Sequence, residues 1–436
     1  MRINSQYLLG WLNRQNLLVA GTLLLTVSPF LSVAFYVGAA LRTAFGEPTI
    51  VLTKERKVLT GILFIISIWF AGHNFLPEEI GPGKVAFTDY VPLFWFFYAV
   101  SLRPFSTGET KKILYAFMFT IPQQFIVALG ENYLHWQGRF YFPARKFPFL
   151  DIYYGPSEVG LATSASFFNP NILALYAIMG AIFSICLLLK EREQSGIVNT
   201  SPLWRWRIPF LNICLAFSLL LLIWTHSRNA WFFLLFIILI FSWLGENKPL
   251  KILGIGLSLV TLFALFNLFF PTPIAKYFLP DALSAKLTVF SSDREIFYKF
   301  AWDLIKKKPL VGWGIGMFPH LVSSKLWYQV LHTHSIFFQL AIEIGLPFAI
   351  GVLGLLLLLI ISTGKRVARM ESSFQRKEIL DRGLLIACIV IFLMQFFDLA
   401  LLMTYRLNFL FWLCLAIPYS KVSRLSTGKE SADELD

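Results

Sequence analysis

GLPFAIGVLGLLLLLII, residues 345–361, carries no charged side chain from end to end. As an α-helix a run of this length rises about 26 Å, close to the ~30 Å hydrocarbon thickness of a bilayer, so the stretch reads as a membrane crossing. Comparable apolar runs fall near 58–72, 90–102, 113–130, 171–189, 208–224, 230–244, 252–270, 384–402 and 407–419. Hydrophobic residues make up 57% of the 436 and charged residues 14%, which leaves too little polar surface to cover a soluble domain. The fold class expected is therefore all-α, a polytopic membrane protein forming one domain over 1–436.

Leu17 to Leu41 is long enough for one tilted helix kinked at Pro29 or for a hairpin of two short spans turning at Ser28-Pro29. Lys and Arg concentrate in loops that stay cytoplasmic, and the hairpin reading gathers most of the 38 on one side. It gives about 12 transmembrane helices, both termini cytoplasmic, and a polar cytoplasmic tail at 420–436. Two long extracytoplasmic loops then stand out, 131–167 and 271–333. The N-terminus shows no small-residue cleavage site and reads as retained.

The net charge of +13 is spread between apolar spans and forms no basic domain, so it speaks for membrane topology and against nucleic acid. Cys186, Cys214, Cys388 and Cys414 all lie in apolar runs without a Cys-x-x-Cys spacing; packing residues are expected, with no metal site.

Three constellations carry chemistry. In SSDREIFYKFAWDLIKKKP (291–309) the apolar residues from Ile296 to Ile305 keep a one-faced helical spacing, and Ser292 with Glu295 forms a capping-box pattern. An amphipathic helix over about 293–308, lying along the membrane surface, puts Arg294 in its first turn, where backbone N–H groups and a guanidinium suit a diphosphate; pairing with Asp293 or a headgroup is the plainer alternative. Gly312, Gly314 and Gly316 then return the chain toward the bilayer. In LHTHSIFFQLAIEIGLP (331–347) His334 and Ser335 open a helix, and an imidazole at the water boundary is suited to taking a proton from a hydroxyl. Glu343 falls on the opposite side of that helix from His334, an unfavourable place for a direct partner. Thr225-His226-Ser227-Arg228 forms an outer turn whose cation opposes the dipole of the next helix, which a bound anion would relieve. Asn169-Pro170-Asn171 reads as a helix cap at the outer start of a span, and Asp398 as a structural partner of Arg406. One topology puts Arg228, Arg294, His334 and Asn171 on the same outer face.

SRNAWFF (227–233), the segment from Arg294 through PLVGWGIGMF, HSIFFQLAIEIGLP and the NPN at 169–171 together resemble the O-antigen ligase and polymerase family of bacterial envelope glycan assembly. The resemblance spans roughly 165–350, and His334-Ser335 to Gly345 keeps the family's spacing. It implies a metal-independent, cofactor-free glycosyltransferase of the bacterial inner membrane. Its partners would be an undecaprenyl-diphosphate-linked glycan as donor, a lipid or glycan acceptor, and membrane lipid. By the same resemblance Arg228 and Arg294 hold the diphosphate and His334 activates the acceptor hydroxyl, with Asn171, Ser335 and Gly345 as further substrate-binding candidates. The Leu-Pro-Phe after Gly345, where ligases often carry a smaller or hydroxylated residue, leaves ligase and polymerase both open. A transporter suits the many spans, but its paired broken helices and symmetric halves are not evident here.

Overall fold

A computed structural model of the chain describes residues 12–45, 53–73, 84–134, 138–141, 151–154, 165–167, 169–195, 202–225, 227, 230, 233, 297–323, 332–370, 379–396 and 405–421. They form a helical bundle: α1 (Arg14–Leu23), α2 (Pro29–Phe45), α3 (Lys54–His73), α4 (Lys84–Ser101), α5 (Thr107–Tyr133), α6 (Pro170–Ser195), α7 (Pro202–Thr225), α8 (described over 297–307), α9 (Phe318–Ser323), α10 (Ile336–Ile344), α11 (Leu346–Met370), α12 (Ile379–Met394) and α13 (Tyr405–Lys421). Among the described residues the strands are a two-stranded antiparallel ribbon, β1 (Gly138–Tyr141) with β2 (Asp151–Tyr154), Gly138 facing Tyr154. Among the described residues four helices are long and apolar enough to cross a membrane: α5, α6, α7 and α11. The apolar run at 252–270, the run at 230–244 apart from 230 and 233, and the tail beyond 421 lie outside the described residues.

The block at 17–41 folds as a hairpin. Ser32 Oγ donates to the Gly21 carbonyl at 2.6 Å, and the Thr22 and Tyr36 hydroxyls meet at 3.0 Å, which sets the two arms antiparallel. A Cβ on Gly21 would lie 3.0 Å from the Tyr36 ring, so a glycine there lets the arms close. The ends of the hairpin consequently share one side. Its first arm is ten residues, about 15 Å, against the ~30 Å of a full crossing.

Ionic contacts define one end of the bundle. Arg14, at the start of α1, donates to the carbonyls of Arg103 and Pro104 and pairs with Glu109 at 2.8 Å. Glu109 also completes a capping box with Ser106 that starts α5. Arg56 of α3 donates to the carbonyls of Ser101 and Leu102 at the end of α4. Glu191, its side chain fully enclosed near the end of α6, holds Lys111 of α5 at 2.5 Å, Arg207 of α7 at 3.6 Å and the Tyr115 hydroxyl at 2.9 Å. A carboxylate stripped of water is tolerable because two cations and a hydroxyl replace it.

Between the ends the packing is aromatic and tight. Tyr36 stacks on Phe409, and Phe94 meets the edge of Trp412. Thr120 and Tyr176 join hydroxyls between α5 and α6. Pro122 deprives the Met118 carbonyl of its helical donor, and Cys214 Sγ approaches that carbonyl at 3.5 Å from α7. All four cysteines are buried free thiols. A Cβ on Gly383 would collide with Cys186 Sγ at 2.3 Å, so α12 crosses α6 in close contact there.

Candidate functional site

The end of the bundle away from the ionic contacts gathers the described candidates. Asn169 Oδ1 accepts the Asn171 backbone N–H at 2.8 Å and Pro170 fills the first helical position, so the NPN motif is a built N-cap for α6. The Asn171 side chain is left to face α7, where its Oδ1 accepts from Ser227 Oγ at 2.6 Å. Ser227 is buried, and its N–H reaches back to Thr225 Oγ1 at 3.3 Å, which tightens the turn after α7. Arg228 and His226 lie outside the described residues, as do Arg294, Asp398 and the Arg406 side chain.

His334 is one of two non-glycine residues with positive φ among the described ones, at 58°. Such a backbone needs support from all sides. The His334 N–H donates to His332 Nδ1 at 3.2 Å, and its carbonyl accepts from the Tyr298 hydroxyl at 3.5 Å. Thr333 Oγ1 donates to the Ser335 carbonyl at 2.8 Å, bridging the residue between them. The His332 and His334 rings lie 4.2 Å apart, and Phe297 faces the His334 ring at 5.9 Å. His334 is half-buried between them, with Ser335 buried beside it. Ser335 starts α10 without its hydroxyl capping the helix.

Helix α8 explains the Phe297 and Tyr298 contacts. Phe297, Ala301, Leu304 and Ile305 are buried while Trp302, Asp303, Lys306 and Lys307 are exposed, the one-faced pattern that the sequence spacing gives. Its first described turn rests on the His334 turn, and Tyr298 also stacks on Phe338 of α10 at 4.9 Å. After Lys308 the glycines take over. Gly312, Gly314 and Gly316 all have positive φ, and the chain docks on the end of α10 through Trp313 N to the Ile342 carbonyl at 2.7 Å and Gly314 N to the Glu343 carbonyl at 3.0 Å.

Gly345, at φ 87°, joins α10 to α11, and a Cβ there would sit 2.1 Å from the Leu310 carbonyl oxygen. Its position is set by backbone against backbone. Glu343 is buried, and its Oε1 accepts from Gln339 Nε2 at 2.6 Å and from Gly316 N at 3.0 Å.

The helices themselves relate the two halves of the site. α6 runs from Asn171 toward the ionic end, and its Cys186 meets Gly383 early in α12. Twelve residues on, about 18 Å back toward the Asn171 end, the Gln395 carbonyl accepts Ile336 N at 2.8 Å, directly after His334-Ser335. Asn171, Ser227 and the His334 turn thus share an end of the bundle. Sequence reading passes over His332, Thr333, Gln339 and Tyr298: each is an ordinary residue type for a helix or its flank, and its place beside His334 arises only from long-range packing.

Residues 213–358 match the family model described as O-antigen ligase, a stretch that runs from α7 through His334 into α11. No curated protein matches the chain. Asn171, outside the matched stretch, reaches it through Ser227. Over residues 213–358, a third of its length, the chain is similar to the O-antigen ligase family, and that match together with its long apolar helices makes it an integral membrane protein.

Proposed function

We propose that the protein is a metal-independent glycosyltransferase of the bacterial inner membrane that moves a glycan from an undecaprenyl-diphosphate carrier to an acceptor hydroxyl on the outer face, in the manner of an O-antigen ligase. The observation that carries the reading is the seat of α8 on the His334 turn, where the Phe297 ring faces His334 at 5.9 Å; in the sequence Arg294 stands three residues before Phe297. Arg228 directly follows Ser227 at the same end of the bundle.

The chemistry follows from those groups. The acceptor oxygen bonds to the anomeric carbon of the glycan while the bond from that carbon to the diphosphate oxygen breaks. His334 takes the hydroxyl proton, and Arg228 and Arg294 hold the charge of the departing undecaprenyl diphosphate. Asn171 and Ser335 bind glycan or phosphate oxygens, and Gly345 acts by letting the turn that follows α8 lie close to the start of α11. With the Arg- and Lys-rich ionic end in the cytoplasm, both termini are cytoplasmic and the site is extracytoplasmic.

Purified protein incubated with undecaprenyl-diphosphate glycan and either a lipid core or further donor tests this by product size. One glycan added per core is the ligase outcome, and lengthening on the carrier is the polymerase outcome. His334→Ala and Arg294→Ala, each with membrane insertion checked, should abolish transfer; full transfer in both would overturn the mechanism.

A further inference from the structure

A buried polar relay runs behind His334. Gly316 N donates to Glu343 Oε1, Gln339 Nε2 donates to the same oxygen, and Gln339 Oε1 accepts the Thr333 backbone N–H at 3.0 Å. Glu343 is 3% exposed and Gln339 4%. Both lie on α10 one turn apart, so the helix presents them on one face, with the glycine turn at one end and the histidine turn at the other. A buried carboxylate is expensive to keep, and apolar residues of similar size would pack α10 at lower cost. What the pair does is pin Thr333, and Thr333 in turn grips the Ser335 carbonyl across His334.

We infer that Gln339 and Glu343 are positioning residues for His334: by tying Thr333 to Gly316 they hold the imidazole in the left-handed conformation in which it faces the acceptor. The inference rests on the transferase reading for the choice of His334. Its geometry can still be tested separately. The orientation of each amide is fixed by its partners, because Gln339 Oε1 must accept from a backbone N–H and Nε2 must donate to a carboxylate. Gln339→Glu therefore keeps an acceptor for Thr333 N but loses the donor to Glu343, and the repulsion of two carboxylates where an amide N–H met an oxygen pushes residue 339 out of the place from which it holds Thr333. The swapped double variant, Gln339→Glu with Glu343→Gln, restores every bond: the new carboxylate accepts from Thr333 N and from the new amide, whose oxygen accepts from Gly316 N.

Two measurements on the full-length protein test this. In the glycan transfer assay Gln339→Glu should lower kcat roughly a hundredfold with donor KM little changed, as a reacting group displaced by about 1 Å does, and the swap should recover most of it. Carbethoxylation of His334 by diethyl pyrocarbonate, followed by peptide mass mapping, reads the histidine turn without any glycan: its rate should change in Gln339→Glu and return in the swap. Wild-type kcat in Gln339→Glu, or a swap no better than the single variant in both readouts, would overturn the relay. A wild-type protein with no transferase activity but with the labelling pattern intact would overturn the transferase reading and leave the relay standing.

Discussion

A histidine held at φ 58° stores backbone energy, about 1–3 kcal/mol for a residue of this kind, and the surroundings must supply it. Here His332 and Tyr298 do so through one hydrogen bond each, and Thr333 through two to Ser335. Gly345 is the complementary case, a conformation that demands the absence of a side chain. Gly345→Ala should lower stability on the order of 3 kcal/mol, seen as a fall in Tm in detergent, because the added methyl meets the Leu310 carbonyl and φ is 87°. His334 and Gly345 were both readable as a spaced pair in the sequence; that the first is strained and the second packs on backbone was not, since φ depends on contacts made from α8 and the glycine turn.

The helices differ in what binds them. At the ionic end Glu191 ties α5, α6 and α7 through Lys111, Arg207 and Tyr115 from an enclosed position. Glu191→Ala leaves two cations facing each other and should cost on the order of 3 kcal/mol in thermal or denaturant unfolding. The pair Lys306–Asp303 on α8 has the same chemistry, but its side chains are 59% and 62% exposed, and Lys306→Ala should change stability by less than about 0.5 kcal/mol. The apolar run at 113–130 foretold α5 but not its ends: the capping box of Ser106 and Glu109 starts it at Thr107, and it continues to Tyr133. The run at 171–189 likewise extends to Ser195, because the charged turn that follows it supplies Glu191 to Lys111 and Arg207 and stays helical. The spacing of apolar residues in α8 was legible because one face alone is buried, whereas α6, with 89% of its apolar window buried, has no polar stripe to read.

Across the molecule, membrane character and helical class followed from composition, and the resemblance of the 165–350 segment met a family match over 213–358. The meeting of α8 with the histidine turn, and the polar relay behind it, depend on partners far apart in sequence and left no local signal. Sidedness is checked by labelling. Lys307→Cys should react with a membrane-impermeant maleimide on spheroplasts and Arg192→Cys should not, with low background because the native thiols are buried. The opposite pattern would invert the topology and move His334 away from any periplasmic acceptor. The hairpin of α1 and α2 adds a consequence of its own. Thr26 at its turn donates to Gln123, fourteen residues and about 21 Å beyond Glu109 on α5, so the hairpin stops short of α5's far end. Ile126, Leu129 and Tyr133 stay exposed on that upper stretch, 56%, 39% and 64%. Acyl chains must solvate this notch, and a detergent with too short a tail will leave it wet, lowering the temperature at which the solubilised enzyme collapses.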